Sequence, residues 1–189
     1  MFRKLVLVSA LVLSLSGCGL VSVTDANHME HGMMDDNNSQ YSSNDLMFAQ
    51  MMIPHHQQAI EMSNLAETRA NNKEVLSLAR TIKAEQAPEI EQMKSWLKAA
   101  GQSEMGMEDH LGMGMLTEEK ITALEKAKGK EFEYLFLKGM IAHHKGAILM
   151  AETVTDSKNK EVSGFAKSVK ETQSKEITMM QQLQVVVTQ

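Results

Sequence analysis

The chain has little of what most folds are built from. One cysteine, Cys18, among 189 residues excludes any internal disulfide. Two prolines and 4% aromatic residues suit helices better than a sheet. Excess positive charge is missing too: the formal charge is −5 at pH 7, and removing Arg3 and Lys4 with residues before Cys18 takes it to −7. Nucleic acid, which needs a basic surface, is therefore not an expected partner. Leu5 to Leu15 is apolar but too short for an ordinary membrane helix. Behind a charged start and ahead of Leu15-Ser16-Gly17-Cys18, it reads as a secretion signal over residues 1–18. Those four residues resemble a bacterial lipobox, in which Cys18 takes a lipid and becomes the mature N-terminus. The expectation is an envelope lipoprotein facing the periplasm, anchored to the outer membrane in a Gram-negative cell because Gly19, not aspartate, follows Cys18.

What the chain has in excess is methionine, 17 residues, disposed around seven histidines. "MMIPHHQQAIEM" at 51–62 returns as "GMIAHHKGAILM" at 139–150. Phe48, Met52, His55, His56, Ala59, Ile60 and Met62 correspond to Phe136, Met140, His143, His144, Ala147, Ile148 and Met150. Downstream, Gln86, Glu89, Ile90 and Met93 correspond to Gln173, Glu176, Ile177 and Met180. A repeat of this length is a duplicated supersecondary unit.

Around the repeat the pattern is helical. Residues 19–43 are polar and aperiodic and read as a flexible tether. Ser43 and Asn44 offer N-cap oxygens to a helix reaching about Ala70. Asn71 and Asn72 form a turn, and a second helix runs to Ala100, with Gly101 as its stop. Residues 101–116 form a methionine-rich loop, Thr117 opens a short helix ending near Gly129, and long helices cover about 130–155 and 160–186. The predicted fold is all-α: a four-helix up-down bundle over 44–187, built from hairpins 44–100 and 117–187. In an up-down-up-down order the first and third long helices would run parallel.

At 100° per residue, Phe48, Met52, His55, Ala59 and Met62 share one stripe, as do Phe136, Met140, His143, Ala147 and Met150. Counting back from the turns places Gln86 and Glu89 beside His55, and Gln173 and Glu176 beside His143. A buried layer of histidine, glutamine and glutamate is costly unless its members bond one another or a metal. The other histidines favour metal. His28 and His31 stand with Met29, Met33 and Met34 in "HMEHGMM", while His110 stands with Met105, Met107, Met113 and Met115 in "MGMEDHLGMGM". Neither segment has a core to fill, and exposed thioethers invite oxidation. Thioether and imidazole without thiolate favour Cu(I), and Ag(I) by the same softness; imidazole with carboxylate also suits Cu(II).

The paired "MIPHHQQAIEM" and "MIAHHKGAILM", each followed by Gln-x-x-Glu-Ile and methionine, resemble the bacterial family known as domain of unknown function 305. The resemblance covers about residues 44–185 and implies a ferritin-like four-helix bundle, exported in some members, which bind copper and contribute to copper tolerance. By position it implies metal ligation by Met52, His55, His56 and Met62, and by Met140, His143, His144 and Met150; Gln86, Glu89, Gln173 and Glu176, placed by the count from the turns, are expected behind them. Pro54, matched by Ala142, implies a kink in the first copy only and unequal site geometry. The expected function is capture of Cu(I), held or passed to a copper-transfer protein. The alternatives are a structural or partner-binding envelope protein and a copper-oxidising enzyme. An enzyme is not the expectation, because the Glu-x-x-His signature of di-iron bundles is absent before all four helical histidines.

Overall fold

A computed structural model describes residues 40–104 and 112–189. Every regular element among them is helical: α1 (Ser43–Arg69), α2 (Lys73–Ala99), α3 (Glu118–Lys126), α4 (Gly129–Glu152) and α5 (Lys160–Val187). None is long and apolar enough to cross a membrane.

Local chemistry sets the boundaries. The cap of α1 lies one residue earlier than the sequence suggests: Ser42 Oγ accepts from the Asp45 amide at 3.2 Å, and Asp45 accepts from the Ser42 amide at 2.9 Å, a capping box. Asn72 and Asn159 cap α2 and α5 through their side-chain oxygens. At the end of α2, Gly101 adopts φ +66°. The Gln102 amide then reaches the Leu97 carbonyl at 2.8 Å and the Gly101 amide reaches Lys98 at 3.1 Å. This is a Schellman motif, which needs glycine at the left-handed position. α4 stops at Glu152, short of the expected 155, with Thr153 as its cap.

The long helices pair as hairpins, α1 with α2 and α4 with α5, and α1 packs directly on α4. The direction of that last pair differs from expectation. Asn44, at the start of α1, donates to the Thr153 carbonyl at the end of α4 (2.8 Å), while the Asn71 and Asn72 amides beyond α1 donate to Glu133 near the start of α4 (2.7 Å each). α1 and α4 are therefore antiparallel. α2 and α5 are antiparallel as well, since Trp96 near the end of α2 donates to Glu161 near the start of α5 at 2.9 Å. Short turns force antiparallel neighbours only within a hairpin. The connection between α2 and α4 is long enough to begin α4 at the opposite end.

The buried apolar residues form two clusters. One gathers Phe48, Met52, Met93, Trp96, Met150 and Phe165; the other gathers Met62, Ile82, Phe132, Phe136, Met140 and Met180. Each contains the start of one repeat and the end of the other, as an antiparallel α1–α4 pair requires. The four helical histidines belong to neither.

Candidate metal centre

His55, His56, His143 and His144 are all buried, none more than 1% exposed. Both pairs sit near mid-helix, so antiparallel packing still brings them to one level. The His55 and His143 rings lie 3.7 Å apart, centroid to centroid, at 35°. Adjacent histidines point about 100° apart around a helix, so His56 and His144 turn instead toward the hairpin partners. His56 Nε2 lies 2.7 Å from Glu89 Oε2, and His144 Nε2 lies 2.6 Å from Glu176 Oε2. The levels of Glu89 and Glu176 agree with the count from the turns. Their partners do not: each bonds the second histidine of its pair, not the first.

The third partner comes from the connection. His55 Nε2 lies 2.9 Å from the Met113 carbonyl oxygen. Carboxylate and carbonyl oxygens only accept, so His55, His56 and His144 each donate from Nε2. Their Nδ1 atoms are buried without a partner, as are both ring nitrogens of His143. Glutamine shares the deficit: both Gln86 amide atoms, Gln173 Oε1 and Glu176 Oε1 are buried and unpartnered.

Burial governs the protonation of the central pair. Desolvation pushes His55 down to about 3, with the Met113 carbonyl offsetting part of the shift and His56 and His144 adding to it. His143 is held well below its ordinary value by burial and then by the other three histidines, with the His55 backbone offsetting part of the shift. Both rings are neutral at pH 7, and neutral imidazole is the form that ligates metal. At the α2–α5 rim, partial desolvation raises Glu85, and Glu176 and Glu89 push it further the same way.

The two copies are nearly equal in ring geometry, with centroids 6.5 Å apart for His55–His56 and 6.4 Å for His143–His144, tilted 51° and 54°. α1 runs unbroken through Pro54, so the unequal geometry expected from that proline is not seen in the ring pairs. The asymmetry comes from Met113, which meets His55 and leaves His143 alone.

Met52, Met62, Met140 and Met150 are buried in the clusters flanking the layer. Two further methionines join them. The register that sets His56 against Glu89 places Met52 level with Met93, and His144 against Glu176 places Met140 level with Met180. Both added thioethers are fully buried; the signal for them was their correspondence in the repeat. Of the loop candidates, Met113 is 51% exposed and Met115 half-buried. Cys18, His28, Met29, His31, Met33, Met34, Met105, Met107 and His110 lie outside the described residues. Among the described residues no three His, Cys, Asp or Glu side chains are grouped to hold a metal ion. The imidazole nitrogens thus lie at a level flanked by buried thioethers, with the Glu89 and Glu176 carboxylates beside them.

A family model described as a domain of unknown function, DUF305, matches residues 45–184. Among solved structures, a DUF305 protein from Streptomyces coelicolor described as secreted is 30% identical, with a TM-score of 0.71 over 76% of this chain and 92% of that one. A DUF305 fragment from Deinococcus radiodurans gives the same identity and TM-score over 76% and 96%. CopM in its Cu(II)-bound form is 34% identical, with a TM-score of 0.65 over 74% and 95%. CopM is also matched in Cu(I)-bound, silver-bound and apo forms. No curated protein matches the chain.

Proposed function

The chain belongs to the DUF305 family, and from that premise we propose that it is an exported protein binding Cu(I), and Ag(I) by the same chemistry, at the histidine layer. One observation carries the reading: four neutral or donor-fixed imidazoles are buried with Nδ1 unpartnered, three of them oriented through Nε2. Ligating histidines are characteristically held in this way, with the second nitrogen donating to a carboxylate or carbonyl while the first faces the metal. A purely structural polar layer would leave so many buried groups unbonded only at a substantial cost in stability. The copper- and silver-bound forms of CopM, at 31–34% identity, support copper or silver as the class of ion, while the choice of Cu(I) rests on the thioethers beside the imidazoles.

In this reading the histidine layer and its thioether neighbours hold the ion firmly. The Met/His segments at 28–34 and 105–115 capture and exchange it. The scaffold is a ferritin-like four-helix bundle with one long crossover, tethered to the envelope through lipid on Cys18 and exposed to the periplasm. Its task is sequestration or delivery of Cu(I) to a transfer protein, without catalysis. Cu(II) is the secondary ligand, through imidazole and the Glu89 and Glu176 carboxylates.

The test is a Cu(I) titration of the chain against a chromophoric chelator, beside a variant with all four helical histidines replaced by leucine. The reading expects chelator-competitive binding that falls at least about tenfold in the variant, as each lost ligand or orienting partner typically costs 10–100-fold. Equal binding by both chains would refute it.

A further inference from the structure

The ion must reach histidines that solvent does not, and the strap formed by residues 112–116 covers one side of them. Its backbone lies directly on α4. A Cβ added to Gly146 would fall 1.3 Å from the Met113 carbonyl oxygen, and one on Gly114 would fall 2.0 Å from the Ala142 carbonyl oxygen. Glycine at both contacts lets the two backbones touch, and that contact aims the Met113 carbonyl at His55.

The strap is fixed unevenly. At its far end Gln58 clamps Leu116 twice, accepting from its amide at 2.7 Å and donating to its carbonyl at 3.0 Å, and the Leu116 side chain is buried. At the near end the attachment to the histidines, among the described residues, is the His55–Met113 hydrogen bond. Met113 takes a left-handed backbone, φ +51°, which disfavours a residue with a Cβ, and its side chain is half out in solvent. A groove of about 290 Å³ lies beside the strap, lined by Gly114, Met115, Leu116, Leu135, Gly139 and Ala142 among others.

We propose that this strap is the gate to the histidine layer, hinged at Leu116 and latched at Met113, and that Met113 is also the first thioether an incoming soft ion meets. The inference rests on the metal-binding reading above. Lifting Met113 frees His55 Nε2 and uncovers the His55–His143 pair, while the exposed sulfur travels with the latch. Capture and opening are thereby coupled in one residue. His143, which the strap does not bond, is the ring already free to receive the ion.

Stopped-flow uptake and chelator-driven release of Cu(I), with equilibrium affinity measured in parallel, test the gate. Gly146→Ala displaces the latch and is expected to speed uptake about tenfold or more and release by more still, because affinity also falls once the Met113 carbonyl no longer orients His55. Met113→Gly removes the thioether and relieves the left-handed backbone, so the latch closes better and both rates fall. Met113→Leu keeps the latch and removes only sulfur, slowing uptake less than Met113→Gly. Should Gly146→Ala fail to fold, the order of the two Met113 variants decides. Rates equal to wild type in the folded variants overturn the gate while leaving the binding site intact; failure of the unmodified chain to bind Cu(I) overturns both.

Discussion

Replacing His143 with leucine should make the metal-free protein more stable and the metal-loaded protein less so. Both His143 ring nitrogens are buried without a partner and the side chain is fully enclosed. An unsatisfied buried polar group costs about 1–3 kcal/mol, and leucine is close to imidazole in volume. Against the gain stands the lost contact with the His55 ring at 3.7 Å, worth about 1 kcal/mol if it behaves as an aromatic pair. The net is about 1 kcal/mol in favour of the variant, or a rise of about 2–4 °C in Tm for a domain of this size. Silver reverses the order. A ligand that binds only the folded state at a thousand times its Kd adds about 4.1 kcal/mol, which wild type gains and the variant largely forgoes. Calorimetry of both chains with and without Ag(I) should show the two melting temperatures crossing. A metal-free variant that melts below wild type, or an equal silver shift in both chains, would refute the claim that the layer is unsatisfied until an ion arrives.

Acid should destabilise the fold through the same residues. The folded-state value of His55, about 3, lies below its ordinary 6.5, so folding favours the neutral ring. That contribution is complete above about pH 6.5 and is lost as pH falls toward 3; moving from pH 7 to pH 5 costs about 2 kcal/mol from His55 alone, with His143 acting in the same direction. Urea midpoints measured at both pH values check this, and equal midpoints would contradict it. Glu176→Gln and Glu89→Gln should each weaken Cu(I) binding about 10–100-fold by loosening ring orientation. The larger loss is expected at Glu176, whose side chain is 4% exposed against 22% for Glu89. Glu133→Ala, which strips the acceptor from the Asn71 and Asn72 amides, should cost about 3 kcal/mol in chemical denaturation without changing metal affinity.

Much of this was legible in the sequence because it is local. Helical periodicity, the asparagine turn at 71–72 and Gly101 mark the helices, and the repeat marks the histidine pairs as equivalent. The level of Glu89 and Glu176 followed from counting residues through short turns. What could not be read was set by long-range geometry. The direction of α4 depends on where a long connection ends, not on any residue within α4. Which histidine of each pair meets a glutamate depends on the orientation of α1 about its own axis, and a stripe 80° wide leaves that open. The role of Gly146 is invisible without its neighbour: in sequence it is a helix-weakening glycine, and only the packed structure shows the Met113 carbonyl resting in the space a side chain would take.

X-ray absorption on the Cu(I)-loaded chain addresses the central claim most directly, because it counts the atoms around the metal. The account predicts a first shell of imidazole nitrogen with thioether sulfur that loses nitrogen when His55 and His143 are replaced. A shell of oxygen alone, or copper that dialysis removes, would contradict it.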